Sequence, residues 1–359
     1  MDCILHIGTG KTGTSSLQRI FQENADSLLS QGYLYPIAGR QFDARKLPRH
    51  VGLRLAALPP DIEGNGLAVL LGLKSPEDRA LYRDQFLADL DAELASHASA
   101  HSVIFSDEAL YSFTEPEAVA GLKAILSARF RSVSVICYVR RPDRFLISGY
   151  SQYIKKGGTE DFDTYMAEGL VNGSYFPRLR CWIDAFGVQA VHLRCFEKRF
   201  LIGQDLVTDF LTTAGLISDD ASAAWARTLQ TYRMNDGLSA FGSEVLRRLN
   251  MTLADMSDEP RRRKCQTLFR NAASRAHTGK GPSVSPKLAQ QIVDSFRDDH
   301  AALVSAFDLG PDRIYALEEI LEESVSDTSL SDKREEDLHA AIEAILLQTR
   351  DRFRGLMFD

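Results

Sequence analysis

Residues 3 to 17 constrain this chain more than any other stretch. Cys3, Ile4, Leu5 and Ile7 form a short apolar run that stops at Gly8-Thr9-Gly10-Lys11-Thr12-Gly13, after which Leu17, Ile20, Phe21, Leu28 and Leu29 recur at helical spacing. The order predicted is strand, tight loop, helix. At such a junction backbone N–H groups and the positive helix end converge on one point, which favours an anion. Glycines 8, 10 and 13 let the backbone approach a phosphate or sulfate ester, Lys11 supplies a positive charge, and the hydroxyls of Thr12, Thr14 and Ser15 supply donors. A plain strand-to-helix turn with Ser/Thr caps is the simpler alternative, and it loses weight once a lysine sits inside the turn. A Walker A loop is excluded, because G-x-x-x-x-G-K-[ST] ending at Gly10-Lys11-Thr12 requires glycine at position 5, where this chain has Leu5.

Downstream, strands and helices alternate. Tyr33 to Tyr35 reads as a strand closed by Pro36, and Leu81, Phe86, Leu87, Leu90 and Leu94 mark an amphipathic helix. Val103 to Phe105 is a short buried strand; Val119, Leu122, Ile125, Leu126 and Phe130 give a helix. Val133 to Val139 is the near-continuous apolar run of a parallel strand covered on both faces. A helix over Phe145 to Lys156, a strand over Val188 to Leu193 and a helix over Leu206 to Leu211, closed by Gly215, complete the pattern. Such alternation predicts an α/β fold with a parallel, doubly wound sheet. Residues 41–75 interrupt it as an irregular insertion, read as substrate-facing, with Arg40, Arg45, Lys46, Arg49 and Arg54 close together and prolines at 48, 59 and 60. Beyond residue 216 helices dominate, including Leu288 to Leu303, and Asp332 to Arg354 reads as an appended amphipathic helix.

Composition excludes several classes. The 359 residues carry 42 Lys plus Arg against 49 Asp plus Glu, a formal charge of −7, which argues against a general nucleic-acid binder. Five scattered cysteines without a C-x-x-C pair suggest neither a disulfide framework nor a zinc site, and fit reduced thiols in a cytoplasm. The eight histidines show no ligand spacing, and no metal is expected. No apolar run approaches the ~20 residues that span a bilayer, and the N-terminus lacks an export signal, so a cytoplasmic protein without a transmembrane segment is expected.

A second element follows the Val133 to Val139 strand. In Arg140-Arg141-Pro142-Asp143-Arg144-Phe145-Leu146-Ile147-Ser148 an arginine leaves a strand and a serine follows eight positions later. Pro142 can start the helix, which puts Ser148 about two turns along it. A strand-end guanidinium and a helix hydroxyl could together meet one phosphate. Arg141 and Arg144 are assigned no role. A third feature, Ser106-Asp107-Glu108, ends the Val103 to Phe105 strand at the carboxyl edge, where open α/β sheets collect their active residues. Asp107 and Glu108 could also cap the next helix, or act as a Walker B-like carboxylate pair.

Lys11-Thr12-Gly13-Thr14-Ser15-Ser16-Leu17-Gln18 resembles the 5′-phosphosulfate loop of sulfotransferases that use 3′-phosphoadenosine 5′-phosphosulfate (PAPS), and Arg140 with Ser148 resembles their 3′-phosphate motif. The resemblance covers roughly residues 3 to 310. It implies a P-loop-like three-layer α/β/α fold with a central parallel sheet and a helical C-terminal region, with residues 1–324 as the sulfotransferase domain and 325–359 as a helical extension. It also implies PAPS as cosubstrate, with Lys11, Thr12, Gly13, Thr14, Ser15, Ser16, Arg140 and Ser148 holding it, and Lys280-Gly281 as a donor-covering loop unless that pair is only a solvated turn. Lys11 would neutralise the leaving phosphate oxygen. Glu108 matches the glutamate that glycan-type members use as base, and the histidine motif of small-molecule members is missing.

The acceptor expected is a carbohydrate or glycolipid, with a small molecule as the alternative, offering a hydroxyl or amine; the oligomeric state is left unassigned. A P-loop kinase or NTPase using Mg-ATP, and an inactive nucleotide-binding module, are the alternatives. Tyr175 to Trp182, Phe186-Gly187 and Arg194 to Glu197 resemble the family's later helix and strand, and read as core and sheet edge. Arg233 to Ser239 resembles a segment of bacterial members with no role assigned, and Glu160-Asp161 and Arg261 to Lys264 read as solvated surface.

Overall fold

The computed structural model describes residues 1–42, 45–59, 68, 71–113, 115–229, 237–309 and 335–358. Two compact units emerge, one formed by Met1–Arg140, Ser174–Arg233 and Asp299–Ala316, the other by Arg141–Gly173, Met234–Asp298 and Leu317–Asp359.

The first unit is built on a five-stranded sheet. Its strands are β1 (Asp2–Gly8), β2 (Tyr33–Leu34), β5 (Ser102–Ser106), β6 (Val133–Val139) and β7 (Val191–Cys195), while β3 (Gln41–Phe42) and β4 (Arg45–Lys46) form a separate two-stranded hairpin. The sheet order is β2-β5-β1-β6-β7 and every pairing in it is parallel. Cys3 to His6 pair with Val103 to Ser106 on one side, and the β6 register shifts between His6 and Gly8 on the other. The chain leaves β1 toward β2 and leaves β6 toward β7, so the carboxyl ends of β1 and β6 flank the point where connections diverge. Open α/β sheets bind their ligands at such a point.

Helices cover both faces, as the apolar strands require. Ile4, Ile104, Ile136 and Tyr138 pack with Leu17, Ile20 and Phe21 of α1 (Thr14–Glu23), with Leu28 of α2 (Ala25–Ser30) and with Phe210. Each such side chain contributes about 1.5–3 kcal/mol when taken out of water. The alternate positions Cys3, Leu5, Ile7, Val103, Phe105, Val135 and Cys137 are equally buried and face the other way. The remaining helices of this unit are α3 (Val51–Ala57), α4 (Pro76–Ser96), α5 (Pro116–Ser127), α8 (Phe176–Phe186), α9 (Leu206–Thr213), α10 (Asp220–Ala226) and most of α14 (Arg297–Phe307). The expected three-layer α/β/α architecture is the one observed.

Local departures have local causes. The first helix breaks at Asn24, whose side chain and N–H both donate to the Ile20 carbonyl, so Leu28 sits on a second helix. Leu81 is 71% exposed, because α4 buries the stripe through Phe86 and Leu90 instead. Val188–Ala190 is a 3-10 turn after Gly187 (φ 85°), and β7 begins only at Val191.

The second unit is helical: α6 (Pro142–Lys155), α7 (Phe162–Asn172), α11 (Ala240–Met251), α12 (Glu259–Ala276), α13 (Pro286–Ser295) and α15 (Glu335–Phe358). Tyr150, Ile154, Leu246, Leu249, Phe269, Leu338 and Ile345 form its main core, so α15 packs on its own chain against α11 and α12. The single helix expected over Leu288 to Leu303 is two, broken at Phe296, which turns inward onto Leu146, Met166 and Ile292. Among the described residues no helix is long and apolar enough to cross a membrane.

Candidate active site

The loop between β1 and α1 is shaped by its own hydrogen bonds. The Thr9 N–H donates to the Tyr138 carbonyl of β6 (2.8 Å), and the buried Thr12 hydroxyl donates to the Thr9 carbonyl (2.6 Å). Thr12 therefore spends its hydrogen inside the loop, leaving only lone pairs. Lys11 holds a left-handed conformation (φ 66°), uncommon for a residue with a Cβ, and its carbonyl accepts from Nη1 of Arg140 at 3.3 Å.

Gly13 is also left-handed (φ 77°) and caps α1 with its carbonyl, which accepts from the N–H groups of Ser16 (2.9 Å) and Leu17 (3.1 Å). A Cβ at Gly13 would strike Leu206 and come 3.0 Å from the Phe196 ring. The helix has no side-chain cap and no acidic residue in its first turn, so its positive end is not neutralised from within the helix. Thr14 is buried, Ser16 half-buried and Ser15 exposed.

Arg140, half-buried at the end of β6, is fixed from behind by the Tyr175 hydroxyl, which donates to its carbonyl (2.8 Å), and its guanidinium lies over Phe196 (5.8 Å). The loop after β7 is anchored by buried Asp209 of α9, which accepts from the Tyr138 hydroxyl (2.7 Å), the Ile202 N–H (2.8 Å) and Arg194. Lys11 and Arg140 thus meet at the carboxyl ends of β1 and β6.

Glu108 lies at the end of β5, on the other side of β1. Gln18 of α1 donates from Nε2 to its Oε2 (2.8 Å), and Arg49 from Nη1 to its Oε1 (3.0 Å). Burial alone would raise this carboxyl, but the Arg49 charge and the Gln18 amide outweigh it and hold Glu108 below the ordinary carboxylate range. Asp107 is different. It is fully buried, accepts from Nε of Arg54 (2.9 Å) and from the Ala109 N–H (3.2 Å), and burial outweighs these partners so that its carboxyl is raised. Asp107 holds the turn; Glu108, 26% exposed, is the carboxylate open to a ligand.

Behind both, Ser106 joins two buried histidines: its hydroxyl meets His6 Nδ1 (2.8 Å), its N–H donates to His50 Nδ1 (3.1 Å), and Gln18 Nε2 also donates to its Oγ (3.2 Å). The pairing of Gln18, Arg49 and Arg54 with these carboxylates, and of His6 and His50 with Ser106, is not anticipated by the sequence. The signals were present in the last position of the loop motif and in the arginine cluster of the insertion, but no local spacing says which carboxylate an arginine will reach.

The other site candidates belong to the second unit. Ser148 lies half-buried on α6; Arg141 is turned into a buried bidentate pair with Asp143 (2.7 and 2.9 Å). Lys280 is exposed and its carbonyl accepts from the Ala240 N–H (2.9 Å), tying the Lys280-Gly281 turn to the start of α11. Residues 233–236 of the Arg233 to Ser239 segment lie outside the described residues, as do 43–44, 60–67 and 69–70 of the insertion.

No family model matches the chain. An uncharacterized protein of Archaeoglobus fulgidus is 26% identical over 125 residues, a match that spans 34% of this chain and 32% of that protein's length. A crystal structure of a sulfotransferase from Alicyclobacillus acidocaldarius is similar with a TM-score of 0.42 and 13% identity, over 86% of this chain and 96% of that one.

Proposed function

We propose that this chain is a PAPS-dependent sulfotransferase that moves a sulfuryl group to a hydroxyl or amine of a carbohydrate or glycolipid acceptor. One observation carries the reading: a helix start without a side-chain cap and with a lysine in its loop is tied, through Gln18 of the same helix, to the Glu108 carboxylate, whose pKa is held below the ordinary range. An anion site and a base side by side are what transfer from an anionic donor to a neutral nucleophile requires.

Lys11, Thr12, Gly13, Thr14, Ser15 and Ser16 would hold the 5′-phosphosulfate and Arg140 the 3′-phosphate; Ser148, Lys280 and Gly281 enter on their sequence motifs alone. Bound PAPS supplies the sulfuryl group and a phosphate leaving group. Glu108 takes the proton from the acceptor as its oxygen bonds to sulfur, and the sulfur–oxygen bond to the 5′-phosphate breaks with its electron pair going to that phosphate. Lys11 and the α1 amides stabilise the charge that collects there.

The test is transfer of labelled sulfate from PAPS across glycans, glycolipids and phenols with EDTA present, and ATP offered in parallel. A sulfated glycan or glycolipid is the expected product. Magnesium-dependent ATP turnover without sulfate transfer would make the chain a kinase or NTPase, and donor binding without any turnover an inactive nucleotide-binding module.

A further inference from the structure

The Glu108 carboxylate is gripped at both oxygens, by donors from two different segments. Gln18 projects from the buried face of α1, and its two amide hydrogens are spent on Glu108 Oε2 and Ser106 Oγ, which fixes the amide plane. Arg49 arrives from the turn before α3, 3.0 Å from Glu108 Oε1 and 3.6 Å from Asp107 Oδ1. Arg54, one turn further along, holds Asp107 from its other oxygen. The division of labour follows from chemistry. A guanidinium beside a partly buried carboxylate stabilises its charge, whereas a neutral amide chiefly sets its direction. Because α1 begins at the anion loop, Gln18 is also a rigid strut between that loop and Glu108.

We infer that Arg49 and Gln18 are positioning residues for Glu108: Arg49 sets its guanidinium charge against one carboxylate oxygen, and Gln18 holds the other and aims the group relative to the loop that starts α1. This rests on the reading of Glu108 as the base that accepts the acceptor's proton. Neither residue exchanges a proton itself, so the acceptor's proton still ends on Glu108.

Two readouts on the full chain test it: the ¹³C-carboxyl NMR titration of Glu108, identified by its loss in Glu108→Gln, and the pH profile of kcat/KM for sulfate transfer. Arg49→Gln should raise the Glu108 midpoint by about one pH unit or more and carry the acidic limb of the profile with it. Arg49→Lys should restore most of the shift. Gln18→Met, similar in volume, should move the midpoint less than Arg49→Gln yet lower kcat about tenfold or more, with the KM for PAPS nearly unchanged. An unmoved Glu108 midpoint in folded Arg49→Gln and an unmoved kcat in Gln18→Met, in a chain that transfers sulfate, overturn the inference and leave the reaction standing. A Glu108 midpoint that shifts in Arg49→Gln, with no sulfate transferred to any acceptor by the wild-type chain, overturns the reaction instead.

Discussion

Gly8 at the end of β1 lies against the backbone of Glu108: a Cβ on Gly8 would come 3.0 Å from the Glu108 carbonyl oxygen and 3.2 Å from its Cα. Gly8 also sits at φ 117°, where a side chain is strained whatever the space. The end of β1 and the Glu108 backbone pack this closely because this position has no side chain. Gly8→Ala should therefore cost about 1–3 kcal/mol of stability and displace Glu108 from the loop. Urea unfolding should show a lower midpoint, and transfer activity should fall further than the loss of folded protein explains.

Glu108→Gln keeps the shape and removes the carboxylate charge. If Glu108 is the base, transfer should drop by about 10²–10⁴-fold, while calorimetry finds 3′,5′-adenosine bisphosphate bound as in the wild type. Unchanged turnover would assign the base elsewhere.

Lys11→Ala and Arg140→Ala probe the other half of the site. Lys11→Ala should weaken both donor binding and turnover if, as proposed, its charge serves bound and departing phosphate alike. Arg140→Ala should mainly weaken binding of 3′,5′-adenosine bisphosphate. Combined with Ser148→Ala in a double-mutant cycle, it should show a coupling of at least about 0.5 kcal/mol if both groups hold the same phosphate; additive losses would separate them.

The parts of this architecture that were legible in the sequence are those written in short-range pattern. Val133 to Val139 and Cys3 to Ile7 announced buried parallel strands through near-continuous apolar runs, interrupted only at Ser134 and His6, and glycines around a lysine announced the loop. What stayed hidden depends on contacts distant in sequence. Arg49 meets Glu108 across 59 positions and Gln18 meets it across 90, and no periodicity encodes such pairings. Breaks at Asn24 and Phe296 were hidden for another reason: each is set by a cap or an inward-turned side chain within a stretch whose apolar spacing continues undisturbed.

The histidines behind the site make stability depend on acid. His6 and His50 are fully buried, and burial pushes them down to about 4 and about 3. Burial and the nearby Arg40 charge hold His50 neutral, in the tautomer whose Nδ1 accepts from the Ser106 N–H while Nε2 donates to the Pro36 carbonyl (3.0 Å). The unfolded chain takes up protons on both rings as pH falls below about 6.5, while the fold refuses them until near pH 4. Within that window stability should decline by about 1.4 kcal/mol per pH unit for each histidine. Asp107 opposes this at the acid end, because its raised carboxyl binds a proton in the fold before it does in the unfolded chain. The urea midpoint should therefore be flat from pH 8 to 7 and fall between about 6.5 and 4.5. His50→Asn, whose Oδ1 can still accept from Ser106, should lower stability at pH 7 but halve the slope. A variant with the wild-type slope would locate the acid sensitivity outside this pair.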